Sequence, residues 1–351
     1  MTDLSRKQFL RLLAASLGSL GGIYLSGCLN QAKLLSKSLD SDKISPTAFL
    51  PDATPTNSSV SDTEAPTETI PPQPEVTPSP GSYPDMAIAR NGDPEEMVKK
   101  AVRALGGMKR FVKSGDVVVV KPNICVAYHG YEYAATTNPW VVGALVKLAL
   151  EAGASKVKVM DYPFGGTAQQ AYNVSGIQAE VNKSGGKMVV MSNIKYSETD
   201  IPKGIDLKST KIFDGILNAD VIINVPIAKH HQLARLTLAM KNMMGVIYNR
   251  PMMHSNLGQR LADLNSRVRS NLVIVDAVRM LMDNGPSGGN LGDVRKANTI
   301  IASPDIVAAD SYAATLFGLQ PNDLSYIKKG AAMGLGIQNL GKLKIEEINL
   351  G

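Results

Sequence analysis

The chain has 351 residues, with 37 Lys and Arg against 31 Asp and Glu, a formal charge of +6, two cysteines and one tryptophan. Two cysteines exclude a Cys-ligated iron–sulfur or zinc centre and a disulfide-stapled scaffold. With one tryptophan, no arginine-rich helix and no aromatic ribonucleoprotein motif, nucleic acid is not the expected partner of the positive charge.

The first predicted element is an export signal over residues 1–27. A basic stretch, Ser5-Arg6-Lys7-Gln8-Phe9-Leu10-Arg11, precedes an apolar run that closes in Leu25-Ser26-Gly27-Cys28. That order of charged, apolar and small residues is the pattern of a lipoprotein signal, in which the Cys28 thiol receives the lipid. A transmembrane anchor fits less well. The run from Leu12 to Gly27 is shorter than the ~20 residues a spanning helix needs, and it holds Gly18, Gly21, Gly22 and Gly27. Ser5-Arg6-Lys7-x-Phe9-Leu10 resembles the twin-arginine signal with Lys7 in place of the second arginine, and the general secretion route is the alternative. The twin-arginine route implies export of a folded protein. The expected location is therefore extracytoplasmic, on the outer face of a bacterial cell membrane or on an outer membrane.

Residues 28–82 read as a linker. Ten of the 20 prolines lie between Pro46 and Pro84, among Ser, Thr, Asp and Glu. So polar a segment cannot bury enough surface to offset its ordering entropy, and a stiffened, extended tether is expected. Residues 81–351 hold 31 basic and 23 acidic residues, a charge of +8. A basic folded part suits a small anion, cell-wall polymer or lipid head groups.

Residues 83–351 suffice for one α/β domain. Asp116–Val120, Lys156–Asp161, Lys187–Met191, Asp220–Val225, Asn271–Asp276 and Thr299–Ala302 are short β-branched runs of the kind buried on both faces of a sheet. Helices are expected from Asp93 to Leu105, Asn138 to Glu151, Ser255 to Arg269 and Ser303 to Phe317, with Lys342–Ile348 as a final strand near an edge. Alternation of this kind predicts a mainly parallel, doubly wound sheet with helices on both faces.

Ligands of such sheets bind beyond the carboxyl ends of the strands, so the residues there are the candidates. The first run ends in Lys121-Pro122-Asn123, the second in Asp161 and the fourth in Asn224, before a predicted loop carrying Lys229-His230-His231. Lys121 and Asn123 suit a carboxylate or phosphate, or form a solvated strand end. Asp161 suits a base or metal ligand, or a turn cap. Lys229 with His230 or His231 offers an anion clamp and a general base, or one metal-ligating imidazole. Lys241-Asn242 interrupts the apolar run Leu236–Gly245, which reads as a buried helix, and a lysine there needs an anion or a cavity. Gly285, Gly288 and Gly289 form a surface turn or let backbone N–H groups approach an anion. Cys125 reads as a core residue before it reads as a nucleophile.

Together, Lys121-Pro122-Asn123, Lys229-His230-His231, Thr237-Leu238-Ala239-Met240-Lys241-Asn242-x-x-Gly245, Gly285-Pro286-x-Gly288 and Ala302-Ser303-Pro304-Asp305-x-Val307-Ala308-x-Asp310 resemble the domain of unknown function 362 family, over about residues 115 to 320. Members of that family are sometimes joined to a ferredoxin-type cluster module. This chain lacks the Cys-x-x-Cys-x-x-Cys run, so no iron–sulfur cluster is expected. A looser likeness in architecture links the family to the lactate racemase group, which uses a nickel pincer cofactor with Lys and His in its site. That leaves a metal ion open here. The function expected is an enzyme on a small anionic carboxylate or phosphate, with His230, His231, Asp161 and Lys241 catalytic. Lys121, Asn123, Lys229, Asn242 and the three glycines would bind substrate. The alternatives are a lipoprotein that captures a small anion without catalysis and an inert wall-binding protein.

Overall fold

The structure, a computed structural model, describes residues 83–351; the expected signal, the Cys28 anchor and the linker lie outside the described residues. Strands β1 (Met86–Arg90), β2 (Val117–Pro122), β3 (Lys156–Val159), β4 (Lys187–Met188), β7 (Val221–Val225), β10 (Leu272–Leu281), β11 (Val294–Ser303) and β12 (Ile345–Asn349) build the main sheet. Their order is β12-β1-β11-β10-β7-β2-β3-β4. From β10 to β4 every pairing is parallel, as is β1 with β12, and β11 is antiparallel to both its neighbours. The mainly parallel α/β architecture expected from the β-branched runs is the one observed.

Period-two alternation in each strand feeds two cores. Val118, Val120, Val157, Val159, Val221 and Ile223 point to one face, where helices α1 (Pro94–Ala104), α2 (Pro139–Glu151), α3 (Ala168–Val174) and α4 (Ile177–Lys183) cover them. Val119, Ile222, Val273, Val275 and Ile301 point to the other, with Met160 just beyond β3. That face is covered by α7 (Leu257–Arg267), α8 (Ile306–Thr315) and α9 (Ser325–Ala332). Each such side chain withdrawn from water contributes about 1.5–3 kcal/mol. The helix starts follow the sequence: Asp93 accepts from the Glu95 N–H at 2.9 Å with Pro94 next, and Asn138 accepts from the Trp140 N–H at 3.0 Å with Pro139 next.

Three elements differ from the expectation. Lys229-His230-His231 is not a loop but the end of strand β8 (Ile227–His231), which pairs parallel with β10 and antiparallel with β9 (Arg235–Thr237). The apolar run around Lys241 is no continuous helix; a single turn, α6 (Ala239–Asn242), passes into a 3-10 turn at Met243–Val246. The strand β1, central to one half of the sheet, has no long β-branched run to announce it. A separate hairpin pairs β5 (Tyr196–Asp200) with β6 (Ser209–Phe213), and the short helix α5 (Asp214–Leu217) follows it.

Candidate functional site

The carboxyl ends of β2, β3 and β7 converge on a buried polar knot. Lys121 Nζ donates to Asp161 Oδ1 at 2.6 Å, to the Pro122 carbonyl at 3.0 Å and to Asn242 Oδ1 at 3.2 Å. The second Asp161 oxygen accepts the Ile124 N–H at 2.6 Å. Asn242 is spent in both directions: its oxygen also accepts from Asn123 Nδ2 at 3.0 Å, and its amide donates to the Lys121 carbonyl and to Asn224 Oδ1. Burial pushes the Lys121 ammonium down, and the Asp161 carboxylate beside it works in the opposite sense. Gly245 is packed against this pair. A Cβ there would lie 2.4 Å from Asp161 Oδ1 and 2.9 Å from Lys121 Nζ, so only glycine fits without displacing the ion pair. Lys121 and Asp161 are thus partners of one another, and Lys121 sits behind the cavity wall.

On β8, side chains alternate, and the alternation separates the two histidines. Lys229 and His231 line the cavity, whereas His230 does not. His230 Nδ1 accepts the Gly285 N–H at 3.1 Å on the far side. Gly285 is required there by proximity, since a Cβ would fall 1.9 Å from the His230 carbonyl oxygen. Gly288 and Gly289 turn the chain with φ of 63° and 130° and lie outside the cavity lining. The glycine loop reaches the site only through Pro286, whose carbonyl accepts Lys229 Nζ at 2.8 Å, while the Ala135 carbonyl accepts it at 2.7 Å. Lys229 is therefore caged by backbone, with its pKa lowered by burial. Cys125 donates to the same Pro286 carbonyl at 3.4 Å and is a buried thiol raised by burial, in keeping with a core role.

His231 Nδ1 accepts the N–H groups of Leu233 at 3.1 Å and Ala234 at 3.3 Å. The ring proton therefore resides on Nε2. Burial first, then the cations Lys241 and Lys229, push the ring down to about 3. A ring so held is neutral at pH 7 and offers its Nε2–H as a donor; it does not serve as a general base.

Lys241 is the outlier. It is 7% exposed, lines the cavity, and its Nζ meets only the Met244 thioether at 3.5 Å; among the described residues no carboxylate pairs with it. Burial, followed by Lys229, lowers its pKa to about 8. Its turn is fixed from behind by Asp310, which accepts the N–H groups of Ala239 at 2.6 Å and Met240 at 2.9 Å and is itself raised to about 7 by burial. Asn224 Nδ2 holds the Ala239 carbonyl at 2.9 Å, and Asn265 Nδ2 holds that of Met240 at 3.0 Å.

The cavity measures about 420 Å³ and joins these residues to Asn123, Asp161, Thr237, Asn242, Arg250 and His254 between apolar walls of Ile124, Phe164, Leu233 and Met244. Sequence reasoning missed Arg250. Its guanidinium stacks 3.9 Å over the Tyr162 ring and donates to the Tyr162 carbonyl at 2.8 Å, a placement made by tertiary packing with no local signal. Asn123 Oδ1 is buried without a partner and marks a further unused acceptor. The cavity thus presents an unpaired ammonium, a guanidinium and an imidazole N–H, while its one carboxylate is already engaged.

Among the described residues, no three His, Cys, Asp or Glu side chains gather to hold a metal ion. His230 and His231 leave β8 on opposite sides, and each has one ring nitrogen committed to backbone N–H groups. That donor set does not fit an ion held by the protein alone.

The domain of unknown function DUF362 matches residues 118–315. A thylakoid-associated protein of Synechocystis sp. is 28% identical over 248 residues, which cover 68% of this chain and 74% of that protein. The solved lactate racemase apoprotein from Thermoanaerobacterium thermosaccharolyticum matches with a TM-score of 0.42 at 12% identity, over 66% of this chain and 56% of that one. A protein from Thermotoga maritima matches with a TM-score of 0.36 at 12% identity, over 65% of this chain and 60% of that one. This chain spans less than two thirds of either solved structure.

Proposed function

The chain belongs to the DUF362 family, and from that premise we propose that it is a membrane-anchored, extracytoplasmic enzyme acting on a small anionic substrate in the cavity around Lys241. The observation that carries the reading is the buried Lys241 ammonium, which has no carboxylate partner among the described residues and lines a cavity that Arg250 also lines. An unpaired buried cation costs stability unless it neutralises or a ligand supplies the counter-charge, so a carboxylate or phosphate is the expected occupant. Arg250 offers the planar fork for such a group, and the His231 Nε2–H offers a donor to a second oxygen.

Proton transfer falls to Lys241 rather than to His231 or Asp161. His231 is held neutral near pH 7, and both Asp161 oxygens accept hydrogen bonds. Lys241, lowered to about 8, exchanges its proton close to physiological pH. Capture of the anion without chemistry is the second reading, and it is favoured by the same commitment of His231 and Asp161. The membrane location rests on Leu25-Ser26-Gly27-Cys28 and agrees with the thylakoid association in the cyanobacterial relative's name. Among the described residues no helix is long and apolar enough to cross a membrane.

The test is calorimetric titration with a panel of small carboxylates and with inorganic phosphate. At least one anion should bind the wild type and bind Lys241→Met on the order of tenfold to a hundredfold more weakly, as expected for loss of a charge-assisted hydrogen bond. Equal binding to both proteins refutes the site. Deuterium uptake at carbon in the bound carboxylate, followed by NMR in heavy water, separates the enzyme from the receptor.

A further inference from the structure

We propose that Lys241 is a covalent nucleophile, and that the substrate of this cavity is an anion bearing an aldehyde or ketone, such as a 2-oxo acid, which it captures as an imine. The inference rests on the anion site argued above and names its substrate class.

Imine formation asks four things of a protein, and the cavity meets each. The amine must be free of a carboxylate that would hold its proton; among the described residues the one hydrogen-bond partner of Lys241 Nζ is the Met244 thioether. It must be desolvated or crowded by other cations, and Lys241 is buried with Lys229, Arg250 and Lys121 around it. The anionic end of the substrate needs a separate anchor, so that the amine is spared for the carbonyl carbon, and Arg250 on the same cavity provides it. The carbonyl oxygen needs a neutral donor that does not compete for the amine's proton, and His231 is restricted to that role by the two backbone N–H groups on its Nδ1. Ile124, Phe164 and Leu233 supply apolar wall beside these groups.

The step balances without an oxidant or reductant. The neutral Nζ lone pair forms a bond to the carbonyl carbon, and the C=O π pair moves to oxygen, which the His231 N–H stabilises. A proton passes from nitrogen to that oxygen to give the carbinolamine. The hydroxyl then leaves, protonated, as water, and loss of the remaining N–H proton gives C=N. Amine plus carbonyl becomes imine plus one water.

The experiment treats the full-length protein at pH 7 with glyoxylate and cyanoborohydride, which reduces an imine to a stable carboxymethyl-lysine, and maps the modified lysines by peptide mass spectrometry. At pH 7 a lysine at about 8 is neutral a few hundred-fold more often than one at 10.5, so Lys241 should be modified at least on the order of tenfold faster than surface lysines. Inorganic phosphate in excess should slow that modification and leave the surface lysines unaffected. Modification of Lys241 no faster than the surface lysines overturns the imine. If the wild type binds anions in the titration yet Lys241 is not labelled, the nucleophile is refuted and the anion site stands. If neither occurs, both fall.

Discussion

Acidification offers the sharpest check on the state of His231. Its ring is lowered from 6.5 to about 3, with burial as the leading cause. A folded-state value below the unfolded one means that the unfolded chain binds the extra proton first. The stability associated with the neutral ring is therefore complete above pH 6.5 and is lost as pH falls towards 3. At pH 5 the unfolded state has gained about 1.5 pH units of proton binding and the folded state almost none, which corresponds to about 2 kcal/mol. The perturbation is His231→Asn, which keeps an acceptor near the Nδ1 position for the Leu233 and Ala234 N–H groups but cannot titrate. Urea unfolding of both proteins at pH 7 and pH 5 gives a double difference in which Asp310, Asp276 and the other titrating groups cancel. The wild type should lose about 2 kcal/mol more than the variant over that interval. An equal loss in the two proteins refutes the assignment of a neutral, buried imidazole and returns His231 to the list of candidate bases.

Three other perturbations test separate parts of the site. Lys241→Met should raise stability at pH 7 by up to about 3 kcal/mol, because a folded-state pKa depressed from 10.5 to about 8 marks a cost that is full below 8 and gone above 10.5; no gain in urea unfolding at pH 7 would show that the ammonium already has a counter-charge. Gly245→Ala should cost about 1–3 kcal/mol and weaken anion binding, since its Cβ would meet Asp161 and Lys121 at 2.4 and 2.9 Å; wild-type melting and wild-type binding together would refute the close-packing argument. Cys28→Ala should move the protein from the membrane fraction to the soluble or secreted fraction of cells that express it with its own signal, and unchanged retention would refute lipid anchoring.

The sheet was legible because its central strands are β-branched runs that need apolar neighbours on both faces, and because a parallel sheet puts their polar ends together. Lys121, Asp161 and Asn224 were found on that basis, and all three share one hydrogen-bonded network through Asn242. β8 was hidden because its cavity-facing positions carry Lys229 and His231, so a strand reads as a polar loop. β1 was hidden by brevity, with Ile88 its only β-branched residue. Arg250 was out of reach for another reason: it is placed by its stacking on Tyr162, and no spacing in the chain encodes that contact. The glycines at 285, 288 and 289 were legible as a tight turn, but what presses on Gly285 is the His230 backbone and not an anion. Composition signals that space is needed and leaves open what fills it.

The strand β8 also divides labour in a way that bears on how such a cavity diversifies. Lys229 and His231 face the cavity, whereas His230, one residue away, holds the loop at Gly285. Lys229 shares that loop through the Pro286 carbonyl, but His231 holds a different turn, at Leu233 and Ala234. Selection or engineering can exchange the inward imidazole for another donor while the outward one keeps the Asp283–Pro286 turn in place. The cavity's chemistry can therefore drift without loosening the frame that holds it.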